Sequence, residues 1–206
     1  MPGSAATGRV IAVVLLSLLG PHAQPLAQKS DRSAAELMDV VMWNRESIGG
    51  PFTLIDQNGT RRTDADFRGK FMLVYFGFTY CPDVCPTDLQ QMGLAVDQLG
   101  HAGDAVQPIF ITVDPERDTP EHLKEYVTMF HSRFIGLTGD ATAIKEAARA
   151  YRVYYDKVEL PKSDYTVDHS AFIYLLGPEG EYLGFFPPGT SAEIIVGTLR
   201  PQIAVR

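Results

Sequence analysis

The sequence has 206 residues, of which 45% are hydrophobic and 21% charged, so it is long enough for one globular domain with a sizeable core. Its formal net charge of −7 argues against a nucleic-acid-binding protein, which needs a basic surface. It contains no Gly-rich phosphate-binding loop, no low-complexity tract and no internal repeat.

The N-terminal segment has the pattern of an export signal. A basic residue precedes the apolar stretch Val10–Leu19, and small residues follow it. The stretch is short for a membrane-spanning helix, which needs ~20 residues, so a tilted anchor is the alternative. We expect a signal peptide or short membrane anchor over residues 1–27, a polar tether over 28–50 and a folded domain over 51–203. The domain is expected to be periplasmic or otherwise extracytoplasmic, in an oxidising compartment.

The first half of the domain is predicted to alternate strands with helices. Phe52–Ile55, followed by an Asn-Gly pair, predicts a strand that ends in a turn. Phe71–Phe76 is continuously apolar, as expected for a strand buried on both faces of a parallel sheet. Pro86 suits the first turn of a helix, whose apolar side chains recur at Leu89, Met92, Val96 and Leu99. Ile109–Val113 predicts a second buried strand.

The second half is predicted to contain helices and a late hairpin. Thr119 before a proline is typical of a helix start, and Asp140 begins a further helix. Ala171–Leu176 predicts a strand, and a Gly-Pro-Glu-Gly turn leads into an antiparallel strand over Tyr182–Phe186.

The last predicted element is a helix over Ser191–Leu199, with Thr190 and Glu193 forming a capping box. Strand-helix-strand units followed by a hairpin and a helix favour a thioredoxin-like α/β fold with a central mixed sheet flanked by helices. A flavodoxin-like sheet is the alternative, but the late hairpin argues against it.

The chain has two cysteines, Cys81 and Cys85, in the motif Cys-x-x-x-Cys. The apolar strand before them delivers both to the N-terminus of the following helix, where the helix dipole stabilises thiolates. Such a pair suits redox chemistry, soft-metal binding or a structural disulfide. A disulfide across so short a loop removes little entropy from the unfolded chain, so the structural interpretation is disfavoured.

A histidine is predicted to face the cysteine loop. His169 lies just before the strand Ala171–Leu176, where thioredoxin-like oxidoreductases place a cis-proline, and this sequence has no proline there. Two thiolates and one imidazole suit copper or zinc. Zinc normally takes a fourth ligand. The other histidines considered fall on predicted helices or their ends and are expected to face solvent: His101, His122 and His131. A three-ligand set favours copper.

The segment Asp114–Thr119 follows the second buried strand, at the sheet edge where ligands collect in open α/β folds. It is predicted either to support the cysteine site or to serve as a docking loop, while a simple turn and helix cap would also explain it. Phe78 and Tyr80 flank the cysteines and are expected either to shield the site or to belong to the core.

Four segments together resemble the Sco/SenC family: Gly77–Pro86, Asp114–Thr119, Ala148–Tyr155 and Val167–Ser170. The likeness runs from about Gly50 to Pro201. The resemblance implies a thioredoxin-fold copper protein that assists the CuA centre of cytochrome c oxidase. It also implies that one copper ion, Cu⁺ or Cu²⁺, is bound by Cys81, Cys85 and His169.

The resemblance implies a metallochaperone that delivers copper to the copper-bearing subunit of cytochrome c oxidase. The alternative is a thiol-disulfide reductase, with Cys81 and Cys85 as redox thiols, that keeps the CuA cysteines reduced. Other periplasmic copper chaperones or thiol reductants are further expected partners, and many family members carry a membrane tether. A thiol peroxidase is disfavoured, because Pro82 stands where that family needs a threonine.

Overall fold

A seven-stranded mixed sheet forms the centre of the fold. The computed structural model describes Gly3, residues 48–161 and residues 164–205. The predictions for residues 1–27, and for all but the end of the tether 28–50, lie outside these residues. The strands of the central sheet are β1 (Thr53–Asp56), β2 (Arg61–Thr63), β3 (Phe71–Gly77), β4 (Val106–Thr112), β5 (Ile135–Thr138), β8 (Ile173–Leu176) and β9 (Tyr182–Phe186).

Two further strands, β6 (Tyr155–Leu160) and β7 (Asp164–His169), form a separate antiparallel hairpin. The strands of the central sheet lie in the order β2-β1-β5-β4-β3-β8-β9. The pairs β3–β4 and β4–β5 are parallel, and the others are antiparallel. Every residue of β3 and β4 is buried, which explains why both strands are continuously apolar over most of their length.

Within residues 48–161 and 164–205, four α-helices flank the sheet: α1 (Val84–Leu99), α2 (Pro120–Thr128), α3 (Ala141–Ala150) and α4 (Ala192–Ala204). Short 3₁₀ helices cover Asp64–Phe67 and Gly100–Ala105. The predicted caps of α2 and α3 are present. Thr119 Oγ1 accepts a hydrogen bond from the backbone N–H of His122 at 3.3 Å, and Asp140 Oδ1 accepts one from Ala143 at 2.8 Å.

The thioredoxin-like fold class is confirmed, whereas some local predictions were wrong or incomplete. The predicted capping box of the last helix does not form, because the Thr190 hydroxyl donates to the Pro187 carbonyl and Ser191 becomes the N-cap residue. That helix also continues beyond Leu199 to Ala204. Strands β2, β5, β6 and β7 were not predicted. No helix in residues 48–161 or 164–205 is long and apolar enough to cross a membrane.

Candidate metal centre

The three side chains that the sequence predicts as metal ligands lie close together in the structure. A sulfur or ring-nitrogen atom from each of Cys81, Cys85 and His169 lies within 4.8 Å of the others. The Sγ atom of Cys85 lies 3.3 Å from Nε2 of His169. Across the described ranges, no other group of three His, Cys, Asp or Glu side chains is arranged to hold a metal ion. The structure therefore brings together the three residues that sequence reasoning selected as metal ligands.

The cysteines are positioned by strand β3 and helix α1. Cys81 lies in the connection between them and is half-buried, while Cys85 lies in the first turn of α1 and is fully buried. The backbone N–H of Cys85 donates to Sγ of Cys81 at 3.4 Å. Gly77, at the end of β3, makes room for this turn, because a Cβ atom there would lie 2.9 Å from Sγ of Cys85. Cys81 is therefore the more accessible of the two thiols.

The two thiols differ in acidity. A hydrogen bond with Cys85 is the main cause that lowers the pKa of Cys81 to about 4, and hydrogen bonds with His169 and with the backbone of Asp83 and Cys85 contribute. The interaction with Cys81, together with burial, raises the pKa of Cys85. At neutral pH the more accessible sulfur is therefore a thiolate, which is the form that binds metals and attacks disulfides.

The ring of His169 is oriented by its backbone and by two aromatic neighbours. Nδ1 lies 3.2 Å from the carbonyl oxygen of Ser170. Because a carbonyl only accepts hydrogen bonds, Nδ1 carries a proton. Nε2 therefore presents a lone pair towards the thiols when the ring is neutral, and donates a hydrogen bond to them when the ring is protonated. Tyr75 and Phe78 pack edge-on against the imidazole, with centroid distances of 6.3 and 5.8 Å. Metal-binding histidines are commonly oriented in this way, by a hydrogen bond from the ring nitrogen that does not face the metal.

His169 is the last residue of β7, so the β6–β7 hairpin carries the imidazole. Sequence reasoning placed His169 in a loop before a strand and missed this hairpin. The available signal was weak, because all but the first residue of β6 are exposed. Among the described peptide bonds none is cis, in agreement with the absence of a proline before β8.

The other three histidines in the described part of the chain, His101, His122 and His131, lie outside this centre. His101 is exposed, as predicted. The prediction of solvent-facing side chains was wrong for His122 and His131, which are both half-buried. Nε2 of His122 lies 2.9 Å from Oγ1 of Thr79, and Nε2 of His131 lies 3.2 Å from an Asp97 carboxylate oxygen. Neither contact directs an imidazole towards the thiols.

The segment Asp114–Thr119 supports the cysteine loop and also caps a helix. The carboxylate of Asp118 is fully buried and accepts hydrogen bonds from the backbone N–H and the hydroxyl of Thr79, at 3.1 and 2.6 Å. It accepts a third from the hydroxyl of Thr112 in β4, at 2.6 Å. Burial raises the pKa of Asp118, although these hydrogen bonds oppose the shift. The start of the cysteine loop is thereby fixed to β4.

Phe78 and Tyr80 have different surroundings. Phe78 is buried against the imidazole of His169, so it both shields the centre and belongs to the core. Tyr80 is 57% exposed and stacks on the ring of His122, with a centroid distance of 5.7 Å.

Comparisons with known proteins agree with this geometry. The mitochondrial SCO1 homolog 1 of Arabidopsis thaliana is 49% identical over 143 residues, which cover 69% of this chain and 43% of that protein. The chain spans about half the length of the curated relatives it matches. A solved structure of Arabidopsis thaliana ScoI with copper bound is 43% identical and has a TM-score of 0.73, covering 78% of this chain and all of that one.

A more distant solved structure is that of BsSco, described as a member of the Sco family of cytochrome c oxidase assembly proteins with a disulfide switch. It is 25% identical, covers 78% of this chain and 96% of its own, and has a TM-score of 0.60. The model of the SCO1/SenC family matches residues 41–204, which is most of the sequence. The chain therefore belongs to the SCO1/SenC family.

Proposed function

We propose that this protein is a copper metallochaperone that binds one copper ion through Cys81, Cys85 and His169. The observation that carries the proposal is the convergence of two sulfur atoms and one imidazole nitrogen within 4.8 Å. Thiolate sulfur and imidazole nitrogen are ligands that suit copper. The Cys81 thiolate provides one donor without any further deprotonation at neutral pH, and the neutral imidazole offers the Nε2 lone pair as a second.

Copper is the cargo of the proposed reaction, and the copper-bearing subunit of cytochrome c oxidase is the proposed recipient. Solved relatives bind copper or are named as oxidase assembly proteins, which supports this assignment. A half-buried Cys81 leaves one sulfur accessible to a recipient's ligands, while the buried Cys85 retains the other. A partly accessible site of three protein ligands suits transfer better than a closed four-ligand structural site.

The proposal extends to localisation. We infer that residues 1–27 direct export or anchor the chain, that 28–50 tether it, and that the domain over 51–203 works in an extracytoplasmic compartment such as the periplasm. Relatives of this chain include mitochondrial proteins, which supports a role close to a respiratory membrane. Further partners in this compartment would be other copper chaperones or thiol reductants that supply copper or electrons.

A thiol-disulfide reductase that keeps the CuA cysteines reduced is the second candidate, and the low pKa of Cys81 favours it. The Cys81 thiolate would attack a target disulfide and release one target thiolate, which takes up a proton. Cys85 would then lose its proton and attack the mixed disulfide, so that the target ends as two thiols and this chain as a Cys81–Cys85 disulfide. The imidazole is not required for either bond exchange.

His169→Ala separates the two functions. We expect the variant to lose most of its copper affinity and its sulfur-to-copper charge-transfer absorption, but to retain disulfide reduction. Copper titration of the reduced protein, a disulfide-reduction assay and rescue of oxidase assembly in cells lacking the protein would be measured together. His131→Ala is the matched control, because it removes a half-buried imidazole away from the thiols.

Loss of assembly by His169→Ala with reductase activity intact supports copper delivery. Assembly at the wild-type level without copper binding would make the reductase the primary function. Stoichiometric zinc binding with no preference for copper in the wild type would contradict the metallochaperone proposal itself.

A further inference from the structure

We propose that Arg117 and Tyr165 form a latch that positions His169 over the cysteine pair. The inference rests on the proposed function, because it takes His169 as a ligand of the metal site. It assigns a positioning role to residues that lie outside the three-ligand centre and belong to other segments of the chain.

The β6–β7 hairpin needs such a support. It is a separate two-stranded sheet, and all but the first residue of β6 are exposed. Two-stranded hairpins in water are marginally stable unless they pack against something else. His169 lies at the end of this hairpin, where movement of β7 would change the distance of 3.3 Å between its Nε2 and Sγ of Cys85.

Arg117 holds strand β7 through Tyr165. The guanidinium carbon lies 3.8 Å from the centroid of the Tyr165 ring, and Nη1 donates a hydrogen bond to the Tyr165 carbonyl at 3.1 Å. Nε of Arg117 donates to the carboxylate of Asp114, and the Tyr165 hydroxyl donates to the same carboxylate at 2.8 Å. Three groups therefore close a ring of contacts between the β4–α2 loop and the hairpin.

Tyr165 and His169 lie on the same face of β7. They are four residues apart, and side chains of a strand point to alternate sides, so an even spacing keeps them together. Lys157 on β6 is opposite Val167 and so lies on this face as well. Its ammonium lies 4.5 Å from the Tyr165 ring centroid and 2.7 Å from a carboxylate oxygen of Glu116. The latch thus contacts both strands on the side that presents the imidazole.

Arg117 also contacts the cysteine loop. Its guanidinium carbon lies 4.6 Å from the ring centroid of Tyr80, the residue directly before Cys81. One side chain therefore contacts both the segment that carries a thiol and the hairpin that carries the imidazole. Asp114 fixes the guanidinium in this place, because its carboxylate is fully buried and the Arg117 side chain is 19% exposed.

The contacts call for arginine rather than lysine. A planar guanidinium can stack on aromatic rings and donate from separate nitrogens to a carboxylate and a carbonyl, whereas an ammonium is a point charge on a flexible stem. Arg117→Lys keeps a cation beside the buried carboxylate of Asp114 but loses this geometry. Tyr165→Leu leaves the charge pair intact and removes the ring and its hydroxyl. The two variants therefore break the latch in different ways without leaving Asp114 unpaired.

The first measurement is amide hydrogen exchange of the metal-free protein over residues 155–160 and 164–169. We expect faster exchange of the hairpin in both variants, with unchanged protection of β3 and β4. The second is copper affinity of the reduced protein, which we expect to fall about 10- to 100-fold, as for loss of contacts that orient a metal ligand. The charge-transfer absorption should weaken towards the low level of His169→Ala, and the rate of Cys81 alkylation at neutral pH should stay at the wild-type value.

Arg62→Lys is the matched control. Arg62 pairs with the buried carboxylate of Asp56 at 2.8 Å, and three strands separate its strand β2 from β3. We expect this variant to leave hairpin exchange and copper affinity unchanged.

Wild-type copper affinity and spectrum in Arg117→Lys and Tyr165→Leu, with the fold intact, would overturn the positioning role. An equal change in Arg62→Lys would also overturn it, because the effect would then be general. Failure of the proposed function is distinguishable. If the wild type binds no copper through Cys81, Cys85 and His169, the metal site is refuted, while unchanged hairpin exchange in the variants would separately refute the latch.

Discussion

The cysteines and the histidine reach the same point from parts of the fold that differ in burial. Cys81 and Cys85 follow β3, a strand with no exposed residue at the centre of the sheet. His169 ends a hairpin whose first strand is mostly exposed and, among the described residues, pairs only with the second strand of the hairpin. Local opening requires least free energy where few apolar contacts are buried. The thiols are therefore the fixed half of the centre, and the imidazole is the half that local motion can withdraw.

This difference suits the proposed role of a metallochaperone, which must release its metal. A site with all ligands on buried strands would have to disrupt the core to open. Here the loss of one ligand requires movement of the hairpin alone, whereas the sulfur atoms stay on the same turn of backbone.

The largest effect is expected for Cys81→Ser. The side chain is half-buried and next to the first turn of α1, so a hydroxyl fits without loss of core volume. A serine hydroxyl is a poor ligand for copper, whereas thiolate is a strong one. We expect tight copper binding to be lost while thermal unfolding of the reduced protein is similar to that of the wild type. Collapse of the fold in circular dichroism would contradict the assignment of this thiol to the metal site.

The next largest effect is on stability, and it should differ between β3 and the β6–β7 hairpin. Phe76→Ala in β3 removes a fully buried ring that packs near Tyr151 and Tyr174, and we expect the free energy of unfolding to fall by about 3–5 kcal/mol. Leu160→Ala in the hairpin removes a side chain that is 42% exposed, and we expect a change within about 0.5 kcal/mol. Denaturant unfolding measures both. Equal losses would show that the hairpin is as much a part of the core as β3.

The contrast in burial between β3 and the β6–β7 hairpin explains which elements could be predicted from the sequence. Strand β3, helix α1 and the cysteine motif were predicted because burial on both faces leaves a continuous apolar run, and because Pro86 falls in the first helical turn. The approach of His169 to the thiols was anticipated from its place before β8. These signals are local in sequence and strong.

The missed elements are held by contacts that a local pattern does not contain. Strand β6 is largely exposed, so its sequence resembles that of a polar loop. Its pairing with β7 depends on the register between the two strands, which no local pattern specifies. Strand β5 has only four residues, including Gly136. The ring formed by Asp114, Arg117 and Tyr165 joins residues up to 51 positions apart. The sequence therefore indicated the ligands, but not the structure that brings the imidazole to them.

The smallest predicted effect concerns the acidity of Cys81, which depends on both the buried thiol and the imidazole. With the pKa of Cys81 at about 4, well below the ordinary thiol value of 9.0, the rate of its alkylation should be constant above about pH 5 and fall at lower pH as the thiolate takes up a proton.

The hydrogen bond with Cys85 is the main cause of this low pKa, and the hydrogen bond with His169 is a lesser one. Cys85→Ala should therefore raise the midpoint of the pH profile more than His169→Ala does. Both substitutions move it in the same direction, because each removes a group that favours the thiolate. Alkylation rates of the reduced, metal-free protein between pH 3 and 9 measure the two midpoints. A larger rise in His169→Ala would mean that the hairpin, rather than the buried thiol, sets the charge of the accessible sulfur, and would reverse the assignment of the fixed and adjustable halves of the centre.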